Sequence, residues 1–126
     1  MDEHILVVDD NRDAADGLAR LIAGFGYPVK AVYDGEQAVA VAATFAPDMA
    51  LIDIGMPGLD GFETVKQIRK QRAAAQIILV AVTGRSGDED KRRAYECGFD
   101  LFEPKPLGME KLKELLHLLD PDGREP

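Results

Sequence analysis

The sequence has a single cysteine, a shortage of basic residues relative to acidic ones, and no long apolar run. Cys97 alone cannot build an internal disulfide framework, and it suits a reducing compartment. Lys and Arg number 15 against 23 Asp and Glu, giving a net charge of −8, which argues against general nucleic-acid binding. Because no apolar run approaches the roughly 20 residues of a membrane span, we expect no membrane insertion.

The amino-terminal segment Met1-Asp2-Glu3-His4 has no basic region of the kind that opens a signal peptide. We therefore expect a soluble cytoplasmic protein, or a domain of a larger one such as a hybrid kinase or regulator. A chain of 126 residues with 46% hydrophobic residues is long enough for one domain with a real core. We expect this domain to occupy residues 1–120, and residues 121–126 to form a polar tail or the start of a linker.

Apolar strand patterns alternate with helical patterns along the chain, which is typical of βα units around a parallel sheet. The predicted strands are His4–Asp9, Val29–Val32, Met49–Asp53, Ile77–Val82 and Leu101–Glu103. The predicted helices begin near Arg12, after the cap residue Asp34, at Phe62, at Asp88 and at Met109. This order predicts an α/β protein with a doubly wound (βα)5 architecture.

Helical periodicity also predicts which side chains face the core. On the first and fifth helices these are Ala14, Leu18, Leu21, Ile22 and Phe25, and Met109, Leu112, Leu115, Leu116 and Leu119. The fourth helix is charged and weakly amphipathic, so we expect it to be the least firmly anchored, since an apolar face supplies most helical stability. Ser86 and Glu89 have the spacing of a capping box for that helix.

Three carboxylates follow two of the predicted strands. Asp9 and Asp10 end the first strand, and Asp53 ends the third. Open α/β sheets gather their ligands at the carboxyl ends of the strands, so these acids are expected to converge. Close carboxylates repel and raise each other's pKa, and Mg²⁺, which prefers a few carboxylates plus waters, relieves that repulsion.

Two further strands are followed by side chains of other chemical types at the same carboxyl edge of the sheet. Thr83 follows the fourth strand, and Lys105 follows the fifth. A cation, a hydroxyl donor and a lysine around a carboxylate suit phosphoryl transfer onto that carboxylate. Asp53 stands alone on the middle strand, which makes it the predicted acceptor.

The chain resembles the receiver domains of two-component response regulators over essentially its whole length. The matching segments, in order, are Ile5–Asn11 (ILVVDDN), Ala50–Gly61 (ALIDIGMPGLDG), Ala81–Gly84 (AVTG) and Pro104–Pro106 (PKP). The sequence around Asp53 and Thr83 is most similar to the receivers of hybrid sensor histidine kinases. The resemblance implies a flavodoxin-like three-layer fold with a five-stranded parallel sheet of order 2-1-3-4-5.

The resemblance also implies roles around the acceptor. Asp53 receives a phosphoryl group from a phosphohistidine. Mg²⁺ is held by the side chains of Asp10 and Asp53 and by the backbone carbonyl of Gly55, with Asp9 helping, often through water. Lys105 contacts Asp53 or its phosphoryl group.

A second set of roles implied by the resemblance concerns the response. Thr83 donates a hydrogen bond to the phosphoryl group and shifts toward it, and Phe102 is the aromatic switch residue. The Lys105–Pro106 peptide bond is expected to be cis. The fourth helix, fifth strand and fifth helix then form the surface that changes.

The implied partners are a histidine kinase or a histidine phosphotransfer protein, and a downstream protein effector or attached domain. Nucleic acid and membrane are not expected partners of this domain, and a homodimer stays open. Phe102 lacks the hydroxyl of a hydrogen-bonding switch residue, so its burial is the property able to change. Gly55 and Arg85 occupy variable loop positions that tune phosphate lifetime, and Pro104 suits an edge strand.

Three other functions compete with the phosphoacceptor. A Mg²⁺-dependent phosphatase with an aspartyl-phosphate intermediate typically needs an acid two residues after the nucleophile, where this chain has Gly55, so we expect no enzyme. A flavodoxin-like FMN site needs Gly, Ser or Thr after the first strand, and the acidic sequence there would repel the phosphate. A phosphorylation-independent interaction module disagrees with the intact set of acids, threonine and lysine.

Other reactive or charged residues have simpler interpretations. Cys97 is interpreted as a small core residue, and His4 and His117 as surface or edge residues. The basic clusters of the third and fourth helices are interpreted as solvated faces, with a contribution of the second cluster to a partner surface as the alternative. Their members are Lys66, Arg69, Lys70 and Arg72, and Lys91, Arg92 and Arg93.

Overall fold

The structure is a computed structural model that describes residues 3–56, 58, 60–71, 76–84 and 87–119. Its five strands are β1 (Ile5–Val8), β2 (Val29–Val32), β3 (Met49–Asp53), β4 (Ile78–Thr83) and β5 (Leu101–Pro104). Its five helices are α1 (Arg12–Gly24), α2 (Gly35–Phe45), α3 (Gly61–Arg69), α4 (Asp88–Cys97) and α5 (Met109–His117). In the described part of the chain, no helix combines the length and apolar character of a membrane span.

All five strands form one parallel sheet in the order β2-β1-β3-β4-β5. This is the predicted order, and the doubly wound α/β fold is confirmed. The edge strands β2 and β5 contain the most exposed strand residues, while β1, β3 and β4 are buried almost throughout. Pro104 ends β5 at the sheet edge, where a missing backbone donor is tolerated.

Successive strand residues point to opposite faces, so the sheet separates two cores. On one face, Leu6, Ile52 and Leu79 pack with residues of α2, α3 and α4. On the other face, Val7 and Leu51 pack with residues of α1 and α5. This two-sided burial explains why the inner strands read as continuous apolar runs.

Side-chain caps begin three of the helices. Asn11, Asp34 and Asp60 accept hydrogen bonds from the amides of Ala14, Gln37 and Glu63, respectively. The predicted cap Asp34 is therefore confirmed. The predicted capping box of α4 is wrong, because Gly87 is its N-cap and makes no side-chain hydrogen bond there. Ser86 itself lies outside the described residues.

The predicted inward faces of α1 and α5 need correction. Ala14 and Leu21 are exposed, and the buried residues of α1 are Ala15 and Ile22. On α5, Met109 is exposed, whereas Leu112, Leu115 and Leu116 are buried as predicted. Ala14 and Leu21 line a groove beside the sheet instead of packing under a covering element.

The interpretation of the first basic cluster as a solvated face is wrong for Arg69, which is partly buried. Arg69 donates to the carbonyls of Gly98 and Ile77 and pairs with Asp100 at 2.8 Å. Arg93 lies over the ring of Phe62. Helical periodicity gave no sign of these contacts, because both depend on neighbours distant in sequence. Arg72 lies outside the described residues.

Among the residues that the structure describes, the single cysteine and the two histidines belong to no cluster of metal ligands. Cys97 is partly buried and packs against the core that α2, α3 and α4 cover. The ring of His4 stacks on Phe45 at 4.7 Å, and its Nδ1 is 2.8 Å from the Phe45 carbonyl oxygen. His117 is exposed at the end of α5.

Candidate functional site

The sheet register brings the predicted acids together. Val8 and Ile52 are partners across β1 and β3, so the acids that follow them leave neighbouring strands at the same level. Asp9, Asp10 and Asp53 each offer one carboxylate oxygen, and these three oxygens lie within 4.8 Å of one another. The convergence predicted from the strand ends is thus present in the structure.

Asp9 is the more buried member of the acidic pair. It is 7% exposed, and its Oδ1 accepts a hydrogen bond from the Asn11 amide at 3.0 Å. Its Oδ2 accepts a hydrogen bond from Lys105 Nζ at 2.8 Å. Because Asn11 also caps α1, the start of that helix helps to orient the Asp9 carboxylate. Asp10 is exposed.

Asp53 lies at the end of the middle strand, between Lys105 and the following loop. Its Oδ1 accepts a hydrogen bond from the Gly55 amide at 3.0 Å. Its Oδ2 lies 3.4 Å from Lys105 Nζ. The lysine therefore bridges two carboxylates, one from each of two adjacent strands.

Burial and neighbouring charges shift the pKa values of both Asp53 and Lys105. Burial raises the pKa of the Asp53 carboxyl, and the nearby Asp9 charge adds to that rise, outweighing the hydrogen bond from Gly55 and the Lys105 charge. Burial disfavours the charged form of Lys105. The hydrogen bond to Asp9 and the charges of Asp53 and Asp9 outweigh that effect and raise the lysine's pKa. Lys105 thus stays cationic beside the acids.

Thr83 and Phe102 lie next to this centre on β4 and β5. Thr83 ends β4 and is 1% exposed, and its carbonyl accepts a hydrogen bond from the Lys105 amide at 2.8 Å. Phe102 is the partner of Ala81 in the sheet, and it is partly buried against the core beneath α2, α3 and α4. The Lys105–Pro106 peptide bond is cis.

Gly61 is a site-supporting residue that the sequence analysis did not single out. A Cβ atom there would lie 2.5 Å from Ile54 Cα and 2.8 Å from the Asp53 carbonyl oxygen, distances that real Cβ atoms do not show. Because Gly61 has no Cβ atom, α3 can begin directly against the backbone of Asp53. The Asp60-Gly61 pair at the start of the third helix is the signal in the sequence, but the pattern alone does not reveal the steric need for glycine.

A groove of about 540 Å³ adjoins the acids on the side of the sheet covered by α1 and α5. Asp9, Asp53 and Lys105 line one end of it, and Leu18 and Leu21 of α1 line an apolar wall. The Asp53 carboxylate is therefore reachable from outside through a space flanked by α1.

The donor set fits a hard divalent cation. Three carboxylates supply oxygen ligands within reach of one ion, and their mutual repulsion is offset only in part by one lysine. Gly55 lies beside the same carboxylate, since a Cβ atom there would be 3.6 Å from Asp53 Oδ1. Because Gly55 has no side chain, the approach to Asp53 is open at this position.

Taken together, the fold and the charged groups define a doubly wound α/β domain with a carboxylate cluster at the carboxyl edge of its sheet. Residues 5–117 match the response regulator receiver domain. The chain belongs to this family, the receiver domains of two-component signal transduction.

Curated relatives agree with this assignment. The chain is 32% identical over 126 residues to the response regulator MprA of Mycolicibacterium vanbaalenii, covering 97% of this chain and 54% of the relative. It is 33% identical over 112 residues to MprA of Mycobacterium ulcerans, covering 89% and 47%, respectively. The chain thus spans about half the length of these relatives.

Solved structures share the fold closely. The chemotaxis protein CheY4 of Vibrio cholerae superposes with a TM-score of 0.88 at 27% identity, covering 94% of this chain and 98% of that one. The receiver domain of the sensor histidine kinase PA1611 of Pseudomonas aeruginosa superposes with a TM-score of 0.85 at 28% identity, covering 94% and 97%. That second structure has a magnesium ion coordinated in its active site cleft.

Proposed function

We propose that Asp53 is the phosphoacceptor of this receiver domain. The observation that carries the proposal is the position of Lys105 Nζ, 2.8 Å from Asp9 and 3.4 Å from Asp53, beside three converging carboxylates. In the transfer, an Asp53 carboxylate oxygen forms a bond to phosphorus while the phosphorus–nitrogen bond of a phosphohistidine breaks. The electron pair of that bond leaves with the imidazole nitrogen.

Asp9, Asp10, Asp53 and the Gly55 carbonyl are the proposed ligands of Mg²⁺. When bound, the ion supplies positive charge that neutralises the phosphoryl oxygens and lowers the repulsion between the acids. The magnesium ion in the similar PA1611 receiver supports this choice of metal. Lys105 adds a second positive charge, 3.4 Å from Asp53 Oδ2.

Thr83 and Phe102 are the proposed switch residues. A phosphoryl group on Asp53 adds negative charge and strong hydrogen-bond acceptors at one point. The Thr83 hydroxyl lies on a neighbouring strand end and is suited to donate to it. Movement of Thr83 changes the space available to the Phe102 ring on the same face of the sheet, which links Asp53 to the surface formed by α4, β5 and α5.

We further propose that the phosphodonor is a histidine kinase or a histidine phosphotransfer protein, and that the α4-β5-α5 surface contacts an effector protein or an attached domain. Residues 1–120 form the receiver domain in this proposal, and residues 121–126 are a tail or linker. Attachment to a hybrid sensor kinase stays a prediction. Gly55 provides no side-chain acid for a leaving group, which supports a switch rather than a phosphatase.

The experiment is intact-protein mass spectrometry after incubation with acetyl phosphate, with and without Mg²⁺. The wild-type protein is expected to gain one phosphoryl group in a Mg²⁺-dependent manner, and Asp53→Asn to gain none. Asp13→Asn, at an exposed position in the first turn of α1, is the matched control and is expected to behave as wild type. An unchanged gain in Asp53→Asn would contradict the proposed acceptor.

A further inference from the structure

Helix α4 is held firmly at its carboxyl end. Arg69 Nε and Nη2 donate to the Gly98 carbonyl at 3.0 and 2.8 Å, and Nη2 also pairs with Asp100 at 2.8 Å. The Asp100 carboxylate in turn accepts a hydrogen bond from the Leu79 amide at 2.8 Å. The end of α4 is therefore attached to both α3 and β4 through charge-assisted hydrogen bonds, which are stronger than neutral ones.

The amino-terminal half of α4 has little apolar packing. Gly87 makes no side-chain cap at the amino end, and within Asp88–Cys97 the single fully buried residue is Ala94. The aromatic residue Tyr95 is 44% exposed. Since helices in proteins gain most of their stability from a packed apolar face, the amino-terminal half of α4 is the part of this helix with the least apolar support.

Arg93 makes a contact between the middle of α4 and the beginning of α3. Its guanidinium carbon lies 4.2 Å from the ring centroid of Phe62. Phe62 is 1% exposed and directly follows Gly61, which packs against the Asp53 carbonyl with no room for a Cβ atom. Arg93 thus rests on the ring of the residue that follows the close approach of Gly61 to the Asp53 backbone.

We propose that the Arg93–Phe62 contact holds α4 in its resting position, and that α4 turns about the Arg69 contacts when the contact with Phe62 is released by phosphorylation. This proposal rests on Asp53 being the phosphoacceptor. Arg93 is exposed, and an exposed cation–π contact biases an equilibrium by about two- to fivefold. Such a contact is strong enough to favour one position and weak enough to be broken.

The proposal predicts a change in apparent affinity for a phosphoryl mimic. A ligand that binds the active state binds more tightly when a larger fraction of the protein already occupies that state. Removing the Arg93 cation removes the contact that favours the resting position of α4. The variant Arg93→Met keeps an unbranched aliphatic stem over the ring, so it loses the charge without leaving a gap.

The experiment measures beryllofluoride binding by calorimetry in the presence of Mg²⁺, together with amide hydrogen exchange of the unliganded proteins. Arg93→Met is expected to bind about two- to fivefold more tightly than wild type and to exchange faster in the first half of α4. Lys91→Met removes the same charge from an exposed position of the same helix and is expected to match wild type. Arg93→Lys keeps a cation and is expected to restore most of the wild-type behaviour.

The outcomes separate this proposal from the proposed function. If wild type binds beryllofluoride and Asp53→Asn does not, the acceptor stands, and equal affinities of Arg93→Met and wild type would overturn the role of Arg93. Equal tightening in Lys91→Met would also overturn it, because the effect would then be one of net charge. If Asp53→Asn binds as well as wild type, the acceptor fails, and unchanged exchange of α4 in Arg93→Met would show independently that Arg93 does not hold this helix.

Discussion

Helices α4 and α5 flank the same edge of the sheet but are held by different forces. Helix α5 buries Leu112, Leu115 and Leu116 against the sheet, whereas α4 buries Ala94 alone among its residues. The hydrogen bonds of Arg69 and the ring contact of Arg93 attach α4 instead. Apolar packing fixes a helix in place, while a few polar contacts allow it to occupy two positions of similar free energy.

Truncating the packed side of α5 is expected to have the largest effect on stability. Leu112→Ala removes a side chain that is 1% exposed, and such a change destabilises a domain by about 2–5 kcal/mol. Urea unfolding measures the loss. Leu118→Ala, at a residue that is 49% exposed, is the matched control and is expected to cost far less. Equal losses in the two variants would show that α5 is not anchored by its buried leucines.

Removing the polar attachment of α4 is expected to cost less. Arg69→Ala leaves the carbonyls of Gly98 and Ile77 without their guanidinium donor, and a hydrogen bond to a charged group makes a net contribution of about 1.5–3 kcal/mol to stability. Because water reaches this partly exposed site, we expect a net loss of about 1–2 kcal/mol in urea unfolding. Faster amide exchange is expected at the end of α4 and not in α5.

Arg69→Lys is the control for that variant. Lysine keeps the charge but cannot donate two parallel hydrogen bonds from a planar group. It is expected to recover only part of the stability lost in Arg69→Ala. Full recovery would mean that the charge pair with Asp100 dominates and that the geometry of the carbonyl contacts has little importance.

The charged carboxylate of Asp53, the proposed acceptor, is expected to lower the stability of the folded protein at neutral pH. Burial raises the pKa of Asp53 above its ordinary value of 3.8, so the folded protein holds a proton there more tightly than the unfolded chain does. The stability linked to this group is present below its unfolded pKa and is lost as pH rises through the folded pKa. Without Mg²⁺, Asp53→Asn is therefore expected to raise the melting temperature by a few degrees at neutral pH.

Thermal unfolding at several pH values checks this expectation. The advantage of Asp53→Asn is expected to shrink as the pH falls toward the ordinary pKa of aspartate, and added Mg²⁺ is expected to stabilise wild type more than the variant. Parallel pH curves for the two proteins would contradict the predicted cost of the Asp53 charge.

The contrast between the two helices also explains what could be read from the sequence. Hydrophobic periodicity predicted the strands and the buried leucines of α5, because these depend on local pattern and on burial between two helix layers. The order of the strands followed from the family resemblance. Leu21 and Met109 were wrongly assigned to the core, since periodicity does not reveal where a neighbouring element ends. The convergence of Asp9 and Asp53 followed from the strand ends, but the contacts of Arg69 and the steric need for Gly61 depend on tertiary approach.

The smallest effect is expected from the exposed ion pairs of α4. Arg92 pairs with Glu89 and Glu96 within the helix, and both hydrogen bonds raise the pKa of its guanidinium, yet all three side chains are more than half exposed. Water and salt screen such pairs, so Arg92→Ala is expected to leave the urea midpoint within experimental error. A loss of stability as large as that of Arg69→Ala would mean that the exposed ion pairs of α4 stabilise this helix. Its resting position would then depend less on the contacts at Gly98 and Phe62.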